Sequence, residues 1–139
     1  LHVEQGPVLE TLGKQIGVVQ GIVGQRRFII TIKGRASHAG STPMNMRQDA
    51  LVAASEIVLA VNRIGNTSGQ QVATVGKLQV TPNAPNVIPG EVEMSLDIRD
   101  LSNEHLDHLM AELLENIKAI ATRTQTEIKL EPFLRNEPA

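Results

Sequence analysis

Apolar residues recur along the chain with two different periods, and these periods predict two helices and several strands. Helical spacing runs from about Asn45 to Ile64 and again from Ser102 to about Thr122. Gly65 follows the first stretch as a helix stop, and Ser102 is the predicted cap of the second. From Glu91 to Arg99 the apolar residues alternate with polar ones, which predicts a strand with one buried and one exposed face.

The remaining apolar runs predict further strands. We expect a hairpin whose arms, Ile16 to Gly24 and Arg27 to Lys33, are joined by a turn that begins at Gly24. A strand from Val72 to Val80 and a last strand from Thr126 to about Leu134 follow. The first residues of the chain also begin like a strand, which breaks at Gly6 and Pro7.

From the Arg27–Lys33 arm onward, the predicted order is strand, helix, strand, strand, helix, strand. This β-α-β-β-α-β order is typical of ferredoxin-like folds. We therefore predict an α+β fold in which one antiparallel sheet carries two helices on a single face, preceded by the extra hairpin strand. Asp97 and Arg99 then lie on the other face of the sheet, which is left open for a partner.

The composition narrows the classes of function. The chain has 139 residues, a net charge of −2 and a pI near 6.1, so it presents no basic field for nucleic acid or an anionic membrane. Phe28 and Phe133 are its only aromatic residues, which leaves little for base stacking. Because cysteine is absent, disulfides and thiolate metal sites are excluded, and we expect a cytoplasmic location. No apolar run has the length of a membrane span, and the opening Leu1 leads us to expect a piece of a longer protein.

Residues 34–49 begin with a turn of small residues and continue into the start of the first predicted helix; the turn holds one histidine, His38, between an alanine and a glycine. Small neighbours let other groups approach the imidazole, and free backbone N–H groups beside a titratable ring suit an anionic or polarised ligand. Ser41 or Thr42 is the expected cap of the following helix, and Pro43 suits its first turn. The alternative is that His38 is structural or simply exposed.

Two further polar residues stand where they can meet a ligand. Asn86 lies in residues 81–90, where three prolines and a glycine stiffen the connection and suit a positioned side chain. Arg99 shares a strand face with Asp97, and a guanidinium there can grip a carboxylate with two parallel hydrogen bonds. Asn86 can equally be a simple turn residue, and Arg99 can be a plain surface ion pair.

The other histidines lie in the leading strand and on the second helix. Alternation places His2 and Glu4 on one face of the leading strand, with Gln5 at its end. An ordinary solvated strand edge is the alternative. His105 and His108, three residues apart on the second helix, lack an evident third ligand, and we interpret them as part of its solvated face.

Four motifs occur in a fixed order: Leu-His-Val-Glu-Gln-Gly-Pro-Val-Leu-Glu, Gly-Arg-Ala-Ser-His-Ala-Gly-Ser-Thr-Pro-Met, Asn-Val-Ile-Pro-Gly and Leu-Asp-Ile-Arg-Asp. Together they closely resemble the amidase, hydantoinase and carbamoylase branch of the aminoacylase-like metallopeptidase superfamily. Members of that branch include N-carbamoyl-L-amino acid hydrolase and allantoate amidohydrolase. The resemblance extends over essentially the whole chain.

This resemblance implies that the chain is the lid and dimerisation domain of such an enzyme. Residues 1–12 are then the end of a catalytic-domain strand, residues 13–134 the lid domain, and residues 135–139 the return linker. The full-length enzyme is implied to be a homodimer that uses two divalent metal ions, zinc or manganese. Its implied reaction is hydrolysis of the C–N bond of an N-carbamoyl-L-amino acid or of a related ureido acid such as allantoate.

The resemblance also implies roles for single residues. His2 is implied to be a metal ligand, while Gln5, Asn86 and Arg99 are implied to bind substrate, with Arg99 on the carboxylate. His38 is implied to reach the active site of the partner subunit and to stabilise the oxyanion of the tetrahedral intermediate. The other metal ligands and the general base have no counterpart in this sequence, so we expect the isolated chain to be inactive.

Two alternatives stay open. A ferredoxin-like domain can act alone as a dimerising or ligand-binding module, because this fold hosts many functions. A peptidase or deacylase of the same superfamily is the other. The stretches Glu-Gln-Gly-Pro and Asn-Val-Ile-Pro-Gly favour the carbamoylase branch.

Overall fold

Two long helices and one large antiparallel sheet make up the computed structural model, which describes residues 1–139. In chain order the elements are α1 (Val8–Thr11), β1 (Gly24–Lys33), β2 (Ser37–His38), α2 (Ala50–Gly65), β3 (Val72–Thr74), β4 (Leu78–Thr81), β5 (Val87–Ile88), β6 (Glu91–Asp100), α3 (Asn103–Thr124) and β7 (Glu127–Asn136). A short 3-10 turn, Met44–Met46, precedes α2.

The large sheet is built on the pairing of β1 with β6. These strands run antiparallel over their whole length, from Gly24 opposite Asp100 to Lys33 opposite Glu91. β7 pairs with the other edge of β1, while β3 and β4 follow one another along the outer edge of β6. The predicted α+β class, with an antiparallel sheet and two helices, is confirmed.

The hydrophobic core lies between the sheet and the two long helices. The alternation predicted for residues 91–99 holds, because the apolar residues of this stretch are buried and its polar residues are at least partly exposed. The buried side chains of β6 and β1 join the apolar stripes of both helices in one cluster of 18 buried residues. Alanines let α2 lie close against its neighbours; those in the cluster are Ala50, Ala53, Ala54 and Ala60.

The start of α2 differs from the prediction. The Asp49 carboxylate accepts from two backbone N–H groups of the first turn, at 2.9 and 3.2 Å, so the helix begins at Ala50. The predicted start at Asn45 and the predicted cap, Ser41 or Thr42, are therefore wrong. The residues just before Asp49 form the short 3-10 turn, Met44–Met46, and an extended segment that begins at Arg47 instead.

The bounds of α3 and of β7 lie close to their predicted positions. The Ser102 hydroxyl accepts from the His105 N–H at 3.2 Å, as expected of the predicted cap. The helix runs two residues beyond the predicted end and is closed by Gln125 in the left-handed conformation, with φ of 54°.

Neither α2 nor α3 combines the length and the apolar character that crossing a membrane requires.

The hairpin predicted before the sheet does not form. Residues 16–23 carry no strand, because both edges of β1 are already paired, one with β6 and the other with β7. Ile22 instead exchanges two backbone hydrogen bonds with Ala139, so the segments leading into β1 and out of β7 lie side by side. Residues 1–5 pair with no other strand of this chain, and α1 follows Pro7.

The strand predicted from Val72 to Val80 forms in two pieces, β3 and β4. Residues 75–77 separate them, and Ser95 of β6 occupies the break. The Ser95 hydroxyl accepts from the Lys77 N–H at 3.0 Å, and the Ser95 N–H donates to the Lys77 carbonyl at 3.1 Å. The two pieces therefore still act as one edge of the sheet.

Arg26, near the start of β1, is a buried charge that no sequence pattern marked. Its guanidinium donates to the Asn136 carbonyl at 3.0 Å and to the Asn103 side-chain oxygen at 2.8 Å. The carboxylates of Asp107 and Glu137 lie 3.7 and 3.5 Å from it. Arg26 thus ties the start of α3 to the end of β7.

Candidate functional site

A two-stranded ladder outside the large sheet brings the backbones of His38 and Asn86 side by side. β2 pairs antiparallel with β5, so that His38 lies opposite Val87. One residue further along, the Ala39 N–H donates to the Asn86 carbonyl at 3.0 Å. Since His38 and Asn86 are both exposed, the ladder unites two predicted site residues on one exposed part of the molecule.

The loop around His38 fixes the tautomer of its imidazole. The Gly40 N–H donates to His38 Nδ1 at 3.1 Å, so the uncharged ring carries its proton on Nε2. A Cβ on Gly40 would lie 3.0 Å from the ring Cε1, so the glycine leaves room for the ring in this position. The Thr42 hydroxyl, predicted to cap α2, instead donates to the His38 carbonyl at 2.7 Å. The loop thus leaves the Nε2–H of His38 as an available hydrogen-bond donor.

On the open face of the sheet, Asp97 is held between two guanidinium groups. Arg99 donates to it through Nε at 3.1 Å and Nη2 at 2.9 Å, and Arg27 donates through Nε at 2.8 Å. Burial by itself raises the pKa of Asp97, but the hydrogen bonds and charges of Arg99 and Arg27 together hold that pKa below its ordinary value. The hydrogen bond to Asp97 raises the pKa of Arg99 in turn. Two guanidinium groups and one carboxylate give this cluster a net positive charge.

A shallow concavity of about 420 Å³ opens beside these three residues, and Ser95 also lines it. The Gln25 amide oxygen, turned toward Arg99, lies 2.8, 3.1 and 3.2 Å from the three guanidinium nitrogens, which places it over the plane of the group. Asp97 accepts one N–H from Nε and one from Nη2, so the guanidinium keeps further N–H groups for an anionic oxygen. The concavity suits a small ligand that carries a carboxylate.

Arg99 lies far from His38 and Asn86 within one chain. β5 ends shortly before β6 begins at Glu91, whereas Arg99 lies near the other end of β6. At roughly 3.3 Å per residue, the strand from Glu91 to Arg99 spans about 26 Å. The structure thus brings His38 and Asn86 together and leaves Arg99 at the opposite end of the sheet.

The predicted metal ligand, His2, and its neighbour Gln5 lie in the exposed leading segment. The His2 Nδ1 is 2.9 Å from the carbonyl of Val3. Among the 139 residues, no three His, Asp or Glu side chains gather where they could hold a metal ion. His2 is a single donor here, and the residues of this chain do not form a metal centre by themselves.

The interpretation of His105 as a solvated residue needs correction. Its Nδ1 lies 3.0 Å from Oδ2 of Asp100, whose other oxygen accepts from the Ser102 N–H at 2.7 Å. Asp100 is buried, so this pair braces the turn between β6 and α3. His108 is exposed, in agreement with the prediction.

Sequence reasoning missed two arginines that touch the candidate site. Arg27 lies directly opposite Asp97 in the pairing of β1 with β6, and opposite charges facing each other across two strands are a recognisable signal. Arg47 donates to the carbonyls of Ala39 and Thr42, on either side of the tip of the His38 loop. No pattern in the sequence marked Arg47.

A family model for the peptidase dimerisation domain matches residues 20–125. The chain belongs to this family. The resemblance inferred from the four motifs is also confirmed, because the dimerisation domain is similar over nearly its whole length to proteins of the carbamoylase branch.

Three of these similar proteins illustrate how much of a relative the chain covers. It is 42% identical over 139 residues to the N-carbamoyl-L-amino-acid amidohydrolase of Paenarthrobacter aurescens, covering 99% of the chain and 34% of that protein. It is 37% identical over 139 residues to the allantoate amidohydrolase of Escherichia coli (strain K12), with the same coverage of 99% and 34%. The crystal structure of a hydantoinase/carbamoylase family amidase from Burkholderia multivorans matches with a TM-score of 0.96 and 44% identity, over 99% of the chain and 34% of that protein. The chain thus spans about a third of the length of these relatives.

Proposed function

We propose that this dimerisation domain is the substrate-binding lid of a metal-dependent amidohydrolase. The proposed reaction is hydrolysis of the C–N bond of N-carbamoyl-L-amino acids or of related ureido acids such as allantoate. The names of the relatives support this substrate class. The observation that carries the proposal is the available Nε2–H of His38, which is fixed by Gly40 and joined through the backbone to the Asn86 loop.

His38 and Asn86 act on the same substrate in this proposal. During hydrolysis the carbonyl oxygen under attack gains negative charge, and a donor aimed at that oxygen stabilises the transition state. The Nε2–H of His38 is such a donor. The side-chain amide of Asn86 adds a second polar group that can both donate and accept.

Arg99 binds the substrate carboxylate. Asp97 anchors its guanidinium by two hydrogen bonds, and Arg27 holds Asp97 from the neighbouring strand. A substrate carboxylate accepts charge-assisted hydrogen bonds from the guanidinium N–H groups that Asp97 leaves free. The net positive charge of Arg27, Asp97 and Arg99 together supports the choice of an anionic group.

The distance of about 26 Å along β6 is too long for Arg99 and His38 of one chain to hold one small substrate. We therefore propose a homodimer in which His38 and Asn86 of one chain complete the site that contains Arg99 of the other. The outer edge of β3 and β4 carries no paired strand and exposes Val72 and Leu78. This edge supports pairing of two chains across a two-fold axis.

We propose the domain arrangement expected from the sequence: residues 1–12 as the end of a catalytic-domain strand, residues 13–134 as the lid domain and residues 135–139 as the return linker. No residue before Gly24 is buried, and Ile16 and Val18 are among the exposed apolar residues of that stretch. The strand order and the β-α-β-β-α-β connection support a ferredoxin-like arrangement. A cytoplasmic location stays part of this proposal.

The metal centre, with zinc or manganese, belongs mainly to residues outside this chain in our proposal. His2 contributes one ligand, and Gln5 contacts the substrate beside it.

A peptidase or deacylase of the same superfamily is the second candidate function, favoured by the description of the matched family as a peptidase dimerisation domain. An assay of ammonia release by the full-length protein, with manganese or zinc added, separates the two candidate functions. The substrates are N-carbamoyl-L-amino acids, allantoate, ureidoglycolate and β-ureidopropionate, with N-acyl amino acids and dipeptides assayed separately for amide cleavage. Turnover of a ureido substrate that a chelator abolishes supports the proposal. Cleavage of acyl amino acids or dipeptides alone overturns it in favour of the second candidate.

A further inference from the structure

Arg47 contacts the loop of His38 at two fixed points. Its Nη2 donates to the Ala39 carbonyl at 2.8 Å, and its Nε donates to the Thr42 carbonyl at 3.1 Å. These two carbonyls flank the tip of the loop, where Gly40 donates its N–H to the His38 ring. One partly buried guanidinium thus spans the segment that fixes the imidazole.

The backbone beside Arg47 is itself anchored to the rest of the fold. The Arg35 N–H donates to the Gln48 carbonyl at 2.8 Å, just after the end of β1. Gly34 lies against the same carbonyl, since a Cβ on Gly34 would come within 2.1 Å of it. Arg47 therefore projects from a fixed part of the backbone toward a loop that otherwise carries few bonds to the large sheet.

We propose that Arg47 is the positioning residue of His38. By holding the Ala39 and Thr42 carbonyls, its guanidinium keeps the Gly40 N–H aimed at the His38 Nδ1, so that the uncharged ring has its proton on Nε2. Arginine suits this task better than lysine, because its planar group donates in two fixed directions at once. The effect on catalysis rests on the role proposed above for His38, whereas the effect on the ring does not.

The first experiment measures the tautomer of His38 by nitrogen NMR of the protein labelled on histidine. The His38→Ala variant assigns the His38 signals among the four histidines. We expect the wild type to show the Nε2–H form for the uncharged ring, Arg47→Ala to show a mixture of both forms, and Arg47→Lys to lie between them. Arg35→Ala is the matched control, because Arg35 is exposed and contacts the same stretch only through its backbone. An unchanged His38 tautomer in Arg47→Ala, with the fold retained, overturns the proposal.

The second experiment follows steady-state kinetics of the full-length protein on the substrate found above. We expect Arg47→Ala to lower kcat by about tenfold to a hundredfold with little change in KM, since a small misplacement of a catalytic group has effects of this size. Arg47→Lys should recover part of the loss. If Arg47→Ala does not fold, Arg47→Lys carries both experiments, and wild-type values for its tautomer and its kcat overturn the proposal. A wild-type protein without amidohydrolase activity contradicts the function proposed above, while the NMR result still decides the role of Arg47.

Discussion

Ala39 donates its backbone N–H to the carbonyl oxygen of Asn86 at 3.0 Å. This bond extends the short ladder of β2 and β5, and it joins the loop of His38 to the proline-rich connection that precedes β6. Neither loop belongs to the large sheet, and the ladder holds the two loops together. Because the bond uses only backbone atoms, it leaves the side chains of His38 and Asn86 free to contact a ligand.

The available Nε2–H of His38 leads to a prediction about catalysis. Replacing His38 by alanine in the full-length protein should lower kcat by about 10²- to 10³-fold, which is the size observed when one oxyanion donor is removed. KM should change little, because this interaction forms mainly in the transition state. The measurement is steady-state kinetics on the substrate identified by ammonia release.

His108→Ala is the matched control for His38→Ala, because His108 is exposed on α3 and is assigned no role. We expect its kcat to equal that of the wild type. A wild-type kcat for His38→Ala as well would show that His38 does not stabilise the oxyanion.

The helices and β6 could be predicted from the sequence because each carries its own periodicity. The predicted hairpin does not form, because the free edge of β1 is paired with β7, a strand far away in the chain that no local pattern indicates as its neighbour. The cap of α2 was misplaced because Thr42 and Asp49 are both good caps, and only the tertiary position of the loop gives the Thr42 hydroxyl to His38. The pairing of strands that lie far apart in the chain was thus harder to predict than elements with a local pattern.

The candidate residues were found by their chemistry and not by their positions. His38, Asn86 and Arg99 stood out as polar groups in a turn, a stiff loop and a strand face. That two of them meet depends on β2 and β5, which are two residues long and too short for any alternation to mark. Arg27 and Arg47 were missed for a similar reason, because their importance depends on what lies opposite them in the fold.

Arg99 leads to a prediction about substrate affinity. Arg99→Lys keeps the charge but loses the planar fork, so it should raise KM for carboxylate substrates by about tenfold, the equivalent of one lost charge-assisted hydrogen bond. Arg27→Lys should have a smaller effect, because Arg27 acts only on Asp97 in our proposal. Arg63→Lys, on the exposed surface of α2, is the control. An unchanged KM for Arg99→Lys excludes Arg99 as the carboxylate ligand.

The buried guanidinium of Arg26 leads to a prediction about stability. Arg26→Met should lower the free energy of unfolding by about 1–3 kcal/mol, because it leaves the Asn136 carbonyl and the Asn103 side chain without their donor. Arg35→Met is the control, since Arg35 is exposed. Chemical denaturation of the three proteins measures the difference. Equal stabilities would mean that Arg26 does not tie β7 to α3.

The outer edge of β3 and β4 leads to a prediction about assembly. The protein should have the mass of a dimer by light scattering at tens of micromolar. Val72→Lys, on this edge, should shift it toward the monomer, because a charge there opposes edge pairing. Leu59→Lys, on the exposed side of α2, should leave the dimer intact. The reverse result would place the interface on the helices, and a monomeric wild type would contradict the homodimer.

The lowered pKa of Asp97 leads to a prediction about acid stability. Because its pKa is lower in the folded protein than the ordinary value of 3.8, the folded state binds this proton less readily than the unfolded state. Its contribution to stability is complete above that value and is lost as the pH falls through the folded-state pKa. Asp97→Asn removes this dependence, so its free energy of unfolding should fall less than that of the wild type between about pH 7 and about pH 3.

Chemical denaturation at both pH values measures this difference. The exposed Glu131 and Glu137, which also have lowered pKa values, contribute equally to both proteins. Equal losses in wild type and Asp97→Asn would mean that Arg99 and Arg27 do not stabilise the ionised form of Asp97.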